Sequence, residues 1–99
     1  MIGGGGRRIS PRCVYERPIK FELNYVYGCQ LITIEQDGMG IDISGRGLGM
    51  FTAYPLKDDE TLRLHFPMNH VETTLPVFAR VVWTRLVDNR FRVGFEFLT

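Results

Sequence analysis

From Ile19 to the end, apolar residues return at every second position, and no ten-residue window places them at helical spacing. Ile19, Phe21, Leu23 and Tyr25 alternate with Lys20, Glu22 and Asn24, the pattern of a half-buried strand. Leu31–Glu35 is apolar and β-branched, and Gly40–Ser44 and Leu48–Tyr54 are short strand candidates separated by Gly45-Arg46-Gly47. Leu62, Leu64, Phe66 and Met68 alternate again, which puts His65 on the outward, solvated face. Pro76 opens a longer strand through Val77, Ala79, Val81 and Trp83, and Phe91, Val93, Phe95 and Phe97 close the series. Turns are expected at Gly28, at the hairpin dipeptide Asp37-Gly38, over the polar stretch from Pro55 to Glu60, and at Asp88-Asn89. Short strands with tight turns and no helix predict an all-β chain, closed into a barrel so that apolar strands present no free edges. Trp83 and the Phe91/Phe95/Phe97 row are read as core by the same periodicity.

Ninety-nine residues suffice for one domain. The longest apolar runs are far below the roughly 20 residues of a spanning helix, and Met1–Arg8 lacks the apolar core of a secretory signal. A soluble, cytoplasmic protein is expected. Cys13 and Cys29 are too few for a bridged scaffold and do not combine with His65 or His70 at zinc spacing, so no metal is expected.

The net charge of +1 is unevenly spread. Arg7, Arg8, Arg12, Arg17 and Lys20 face only Glu16 within the first twenty residues, whereas residues 21–99 carry seven basic and ten acidic side chains. Pro11 and Pro18 oppose a helix across the basic stretch, and the glycines at positions 3–6 are compatible with a native flexible tail or an expression remnant. Residues 1–17 are therefore read as a flexible basic arm on a barrel spanning 18–99. Such an arm suits a small anion, because an acidic body repels a long polyanion.

Two clusters carry chemistry. Arg8 and Arg12 lie four apart on a non-helical segment, and a guanidinium offers a planar fork for phosphate or the O6/N7 edge of guanine. Its flat face also stacks on a purine. Asp42 and Ser44 share a face of one strand, and a carboxylate accepts from the N1–H and N2 amino group of guanine, a donor pair that adenine lacks. Gly47, where a strand turns, suits positive φ or a close backbone approach. Taken singly, an arginine pair is commonly a solvated charge and Asp-x-Ser-x-x-Gly commonly a closed turn.

Together, Arg8-Ile9-Ser10-Pro11-Arg12 and Asp42-Ile43-Ser44-Gly45-Arg46-Gly47 resemble the two-part signature of the PilZ family. The ending Val81-Val82-Trp83 … Arg92-Val93-Gly94-Phe95-Glu96-Phe97 is similar to the family's last hairpin. The resemblance implies a six-stranded antiparallel barrel whose N-terminal loop clamps the bacterial second messenger cyclic di-GMP. It makes Arg8 and Arg12 the guanine and phosphate contacts, completed by Asp42 and Ser44, with Gly47 giving backbone access. Arg7, in the place before the first arginine, leans towards a stacked pair of messenger molecules. Arg46 either reaches a phosphate or is an exposed turn residue. Many members continue into a helix that packs on the barrel, whereas this sequence stops at Thr99, which implies a minimal domain or a mouth covered by another subunit, a homo-oligomer.

The function expected is a sensor that orders its arm on the nucleotide and signals to a downstream protein. A protein-interaction module without nucleotide binding is the alternative. A single-strand-binding barrel is disfavoured because outward aromatics interleaved with Lys/Arg are not evident in the pattern. An enzyme is not expected, since the motif residues assemble no carboxylate pair, Cys-His pair or Ser-His-Asp set.

Overall fold

A computed structural model describes residues 11–69 and 72–98. Seven strands follow in chain order: β1 (Cys13–Val14), β2 (Pro18–Tyr27), β3 (Gln30–Ile43), β4 (Gly47–Thr52), β5 (Thr61–Pro67), β6 (Thr74–Val87) and β7 (Arg90–Phe97). All neighbours pair antiparallel, in the order β1-β3-β2-β5-β6-β7-β4, and β4 pairs back onto β3. Six strands thus close a barrel, and β1 adds a short seventh strand on the end of β3. No helix among the described residues is long and apolar enough to cross a membrane.

Alternation builds the interior as the sequence implies. Ile19, Phe21 and Leu23 of β2, Leu48 and Met50 of β4, Leu62 and Leu64 of β5, Ala79 and Val81 of β6, and Val93 and Phe95 of β7 are all buried. Leu56, from the loop before β5, is buried in the same core. Gly28 takes φ +64° in the β2–β3 turn. Asp88 and Asn89 both take positive φ, +49° and +68°, in the two-residue β6–β7 hairpin, a conformation that these two side chains tolerate.

The Asp37-Gly38 hairpin does not form. β3 runs unbroken from Gln30 to Ile43, with Asp37 opposite Lys20 on β2 and Gly38 opposite both Ile19 and Thr52. At Gly38 the strand changes partner, from β2 to β4, and the Met50 side chain fills the place of the missing Cβ. This glycine makes room for the core rather than a turn. The strands expected over Leu31–Glu35 and Gly40–Ser44 are therefore one.

Against the core, the Tyr25 hydroxyl donates to Glu60 Oε2 (2.8 Å) and lies 3.4 Å from the Tyr54 hydroxyl, while Glu60 Oε1 accepts the Lys57 backbone N–H (2.8 Å). Burial, then the bonds to Tyr54 and Glu60, push the Tyr25 phenol well above its ordinary value. A raised folded-state pKa favours the neutral form, so this contribution to stability is complete below the ordinary tyrosine value near 10 and is lost as pH climbs above it. Melting curves collected above that pH should show the wild type losing stability faster than Tyr25→Phe. Equal slopes would show that Tyr25 is not the titrating group.

Candidate functional site

The segment before β2 is tied to the barrel. Tyr15 N–H donates to the Ile41 carbonyl (2.8 Å) and Gly40 N–H to the Arg17 carbonyl (2.8 Å). The Tyr15 ring packs edge-on against Phe66 (5.9 Å), which does the same against Phe97 (6.0 Å). These contacts fix the direction in which Arg12 leaves. Its Nε and Nη2 donate to Asp42 Oδ1 (3.2 and 3.0 Å), and its Nη1 donates to Ser44 Oγ (3.4 Å). Three of the sequence-derived site residues therefore meet. Arg7 and Arg8 lie outside the described residues.

Ser44 Oγ also accepts the backbone N–H groups of Arg46 (3.2 Å) and Gly47 (3.3 Å), while Ser44 N–H donates to the Gly47 carbonyl (2.9 Å). The motif is thus a tight hydroxyl-closed turn that also presents one oxygen to Arg12. Asp42 Oδ2 and the Ser44 proton enter none of the hydrogen bonds among the described residues.

Gly47 has no positive φ. It opens β4 opposite Glu96, and a Cβ there would run into the Phe95 carbonyl. Close approach is the reason for glycine, but the neighbour is a strand of the barrel itself. The Arg46 side chain is exposed and borders a separate hollow with Gly45, Glu96 and Phe97.

An open cleft of about 440 Å³ lies beside Arg12 and Asp42 on the outer surface of the barrel. Its floor follows directly from strand register: Asp42 pairs with Gly49, Gly49 with Gly94, and Gly94 with Trp83. Two glycines in the middle leave a strip without side chains, bounded by the Arg12–Asp42 pair on one side and the Trp83 indole on the other. The Asp42 carboxylate leans over Gly49 and the Trp83 indole over Gly94. A Cβ at Gly49 would lie 2.6 Å from Asp42 Oδ1, and one at Gly94 would strike Trp83 Nε1.

Both walls owe their direction to a β-bulge. Ile41 is an extra residue between Gly40 and Asp42, and Val82 is an extra residue between Val81 and Trp83. Without them, alternation from Gly38 and Gly40 would turn Asp42 inward, and alternation from Ala79 and Val81 would bury Trp83. The core assignment of Trp83 is accordingly wrong: the indole is 38% exposed and covers Gly94. Phe95 is buried, and Phe91 and Phe97 pack on the core as expected.

A second outward row runs beside the first: Met39, Phe51, Arg92 and Arg85. Arg90 sits over the Phe51 ring at 3.8 Å, Arg92 at 5.9 Å, and Arg85 lies 5.6 Å from the Trp83 ring. Outward aromatics interleaved with arginine do exist here, contrary to the sequence-based expectation. Arg92, which lines the cleft, was missed. Its signal was its outward parity with Arg90 and Gly94 on β7.

His65 faces outward but is not simply solvated, for its Nε2 lies 2.7 Å from Glu22 Oε1, beside Arg63 (3.4 Å). Cys13 and Cys29 are exposed free thiols.

Among protein-family models, the PilZ domain matches residues 7–99. No curated protein matches the chain.

Proposed function

The chain belongs to the PilZ domain family, and from that premise we propose that it is an effector domain binding cyclic di-GMP in the cleft between Arg12–Asp42 and Trp83. The observation that carries this reading is the meeting of Arg12, Asp42 and Ser44 at one end of a glycine floor whose other end is a half-exposed tryptophan. A purine entering the cleft would rest against the exposed side of the indole, and base–aromatic stacking of this kind is worth about 1–3 kcal/mol. Its Watson–Crick edge would meet Asp42 Oδ2, an acceptor that suits guanine and leaves adenine's lone pair at N1 facing like charge. Arg12 and Ser44 would serve the phosphodiester, joined by Arg8 and Arg7 from the basic stretch. Binding of this type selects and orders the N-terminal segment, and the reshaped surface is what a downstream protein would read in the cytoplasm. The role is recognition rather than catalysis.

Isothermal titration with cyclic di-GMP, and with cyclic di-AMP as control, tests ligand and base choice together. Trp83 is the only tryptophan, so its fluorescence should change as the guanine messenger saturates and stay constant with the adenine analogue. Absence of both heat and fluorescence change with cyclic di-GMP would overturn the reading.

The arginine–aromatic row on β4, β7 and β6 favours one second reading, a single-stranded nucleic acid lying along that face. An oligonucleotide that displaces cyclic di-GMP, with a steep salt slope, would support it.

A further inference from the structure

Arg92 and Arg85 are directly opposed on β7 and β6, with Arg90 two residues away on the same outward face. Like charges placed opposite each other on a sheet repel. The ion pairs among the described residues lie elsewhere: Asp42 with Arg12, Asp37 with Lys20, Glu22 with Arg63 and His65, Asp59 and Glu96 with Arg80. None of these ion pairs uses Arg85, Arg90 or Arg92. In addition, Arg92 Nε is buried and has no hydrogen-bond partner, the one side-chain nitrogen or oxygen among the described residues in that condition.

Two unfavourable features thus coincide on a side chain that lines the cleft. Phe51 and Trp83 hold the guanidinium groups by their faces and leave the donor edges unused. We propose that Arg92 and Arg85 form a phosphate subsite continuous with the cleft, taking a tetrahedral, multiply charged anion between their two forks. Opposed outward positions are about 4.5–5.5 Å apart at Cβ, so both side chains can reach one phosphate. By turning its fork into the cleft, Arg92 gains the acceptor that Nε lacks, and the anion neutralises the repulsion across the pair. A planar carboxylate satisfies one fork, whereas a phosphate has oxygens for both. That the phosphate belongs to a molecule held in the cleft beside Trp83 rests on the cyclic di-GMP reading; the subsite itself does not.

The test uses the full chain at low ionic strength with inorganic pyrophosphate as the probe and melting temperature as the readout. Pyrophosphate should raise the melting temperature of the wild type and of Lys57→Gln, and the rise should be lost in Arg92→Gln and in Arg85→Gln. The exposed Arg85 position keeps the test valid if Arg92→Gln fails to fold. With cyclic di-GMP, each of the two variants should bind about tenfold more weakly or worse. A pyrophosphate response that is absent from the wild type, or equal in all variants, would overturn the subsite. A response confined to Arg85 and Arg92 in a protein that ignores cyclic di-GMP would keep the subsite and remove the messenger reading.

Discussion

Arg12→Ala should weaken cyclic di-GMP binding by about 2–5 kcal/mol, roughly 30-fold to several thousand-fold, while the barrel melts almost where the wild type does. The two halves of this expectation have separate causes. In the free protein Arg12 is an exposed partner of Asp42, its side chain 48% accessible against 26% for the carboxylate. Exposed pairs contribute about 0–1 kcal/mol, so the fold loses little when Arg12 goes. In the complex the same guanidinium would be covered by ligand, and removing one member of a desolvated charge pair is far more costly. Asp42→Asn separates charge from hydrogen bonding, since its amide oxygen still accepts but its amino group repels a donor. It should lower the preference for guanine over adenine more than it lowers affinity. Titration calorimetry on Arg12→Ala, Asp42→Asn and the double variant measures both terms. Wild-type affinity in Arg12→Ala would remove this residue from the site, whatever the others show.

The places where sequence pattern and structure part company are the places that make the cleft. Ile19/Phe21/Leu23 and Leu62/Leu64/Phe66 were legible because period two holds without interruption, and each set is buried. Trp83 was misplaced because the count from Ala79 passes through Val82, an added residue that reverses every side chain after it. The same displacement at Ile41 brings Asp42 outward, and nothing in the spacing Asp42-x-Ser44 announces it. A bulge has no strong residue signature, so strand parity fails at these two positions. Gly38 misled for a different reason. A turn glycine and a glycine that yields space to a methionine look alike in one dimension, and only the partner strand carrying Met50 distinguishes them. The Arg12/Asp42/Ser44 meeting was legible because paired motif halves implied it, although thirty residues separate Arg12 from Asp42.

Gly47 and Gly49, two residues apart on β4, should fail in opposite ways when each is changed to alanine. At Gly47 the added methyl meets the Phe95 carbonyl, a backbone atom fixed by the β4–β7 ladder on both sides. Relief requires β4 and β7 to separate at that rung, which also strains the Ser44 bonds that close the turn. Overpacking against a rigid neighbour costs about 1–3 kcal/mol or more, and for a domain of this size that is a fall in melting temperature of roughly 10 °C. At Gly49 the methyl meets Asp42 Oδ1, the far end of a side chain, which can rotate aside. Gly49→Ala should therefore melt within a few degrees of the wild type, yet bind poorly, because the carboxylate is displaced from Arg12 and the floor is no longer flat. Thermal melts and cyclic di-GMP titrations on the two variants give four numbers. If Gly47→Ala kept wild-type stability and lost only binding, its glycine would belong to the ligand after all and the steric account from Phe95 would be wrong. If Gly49→Ala bound normally, the strip between Asp42 and Trp83 would not be where the nucleotide lies.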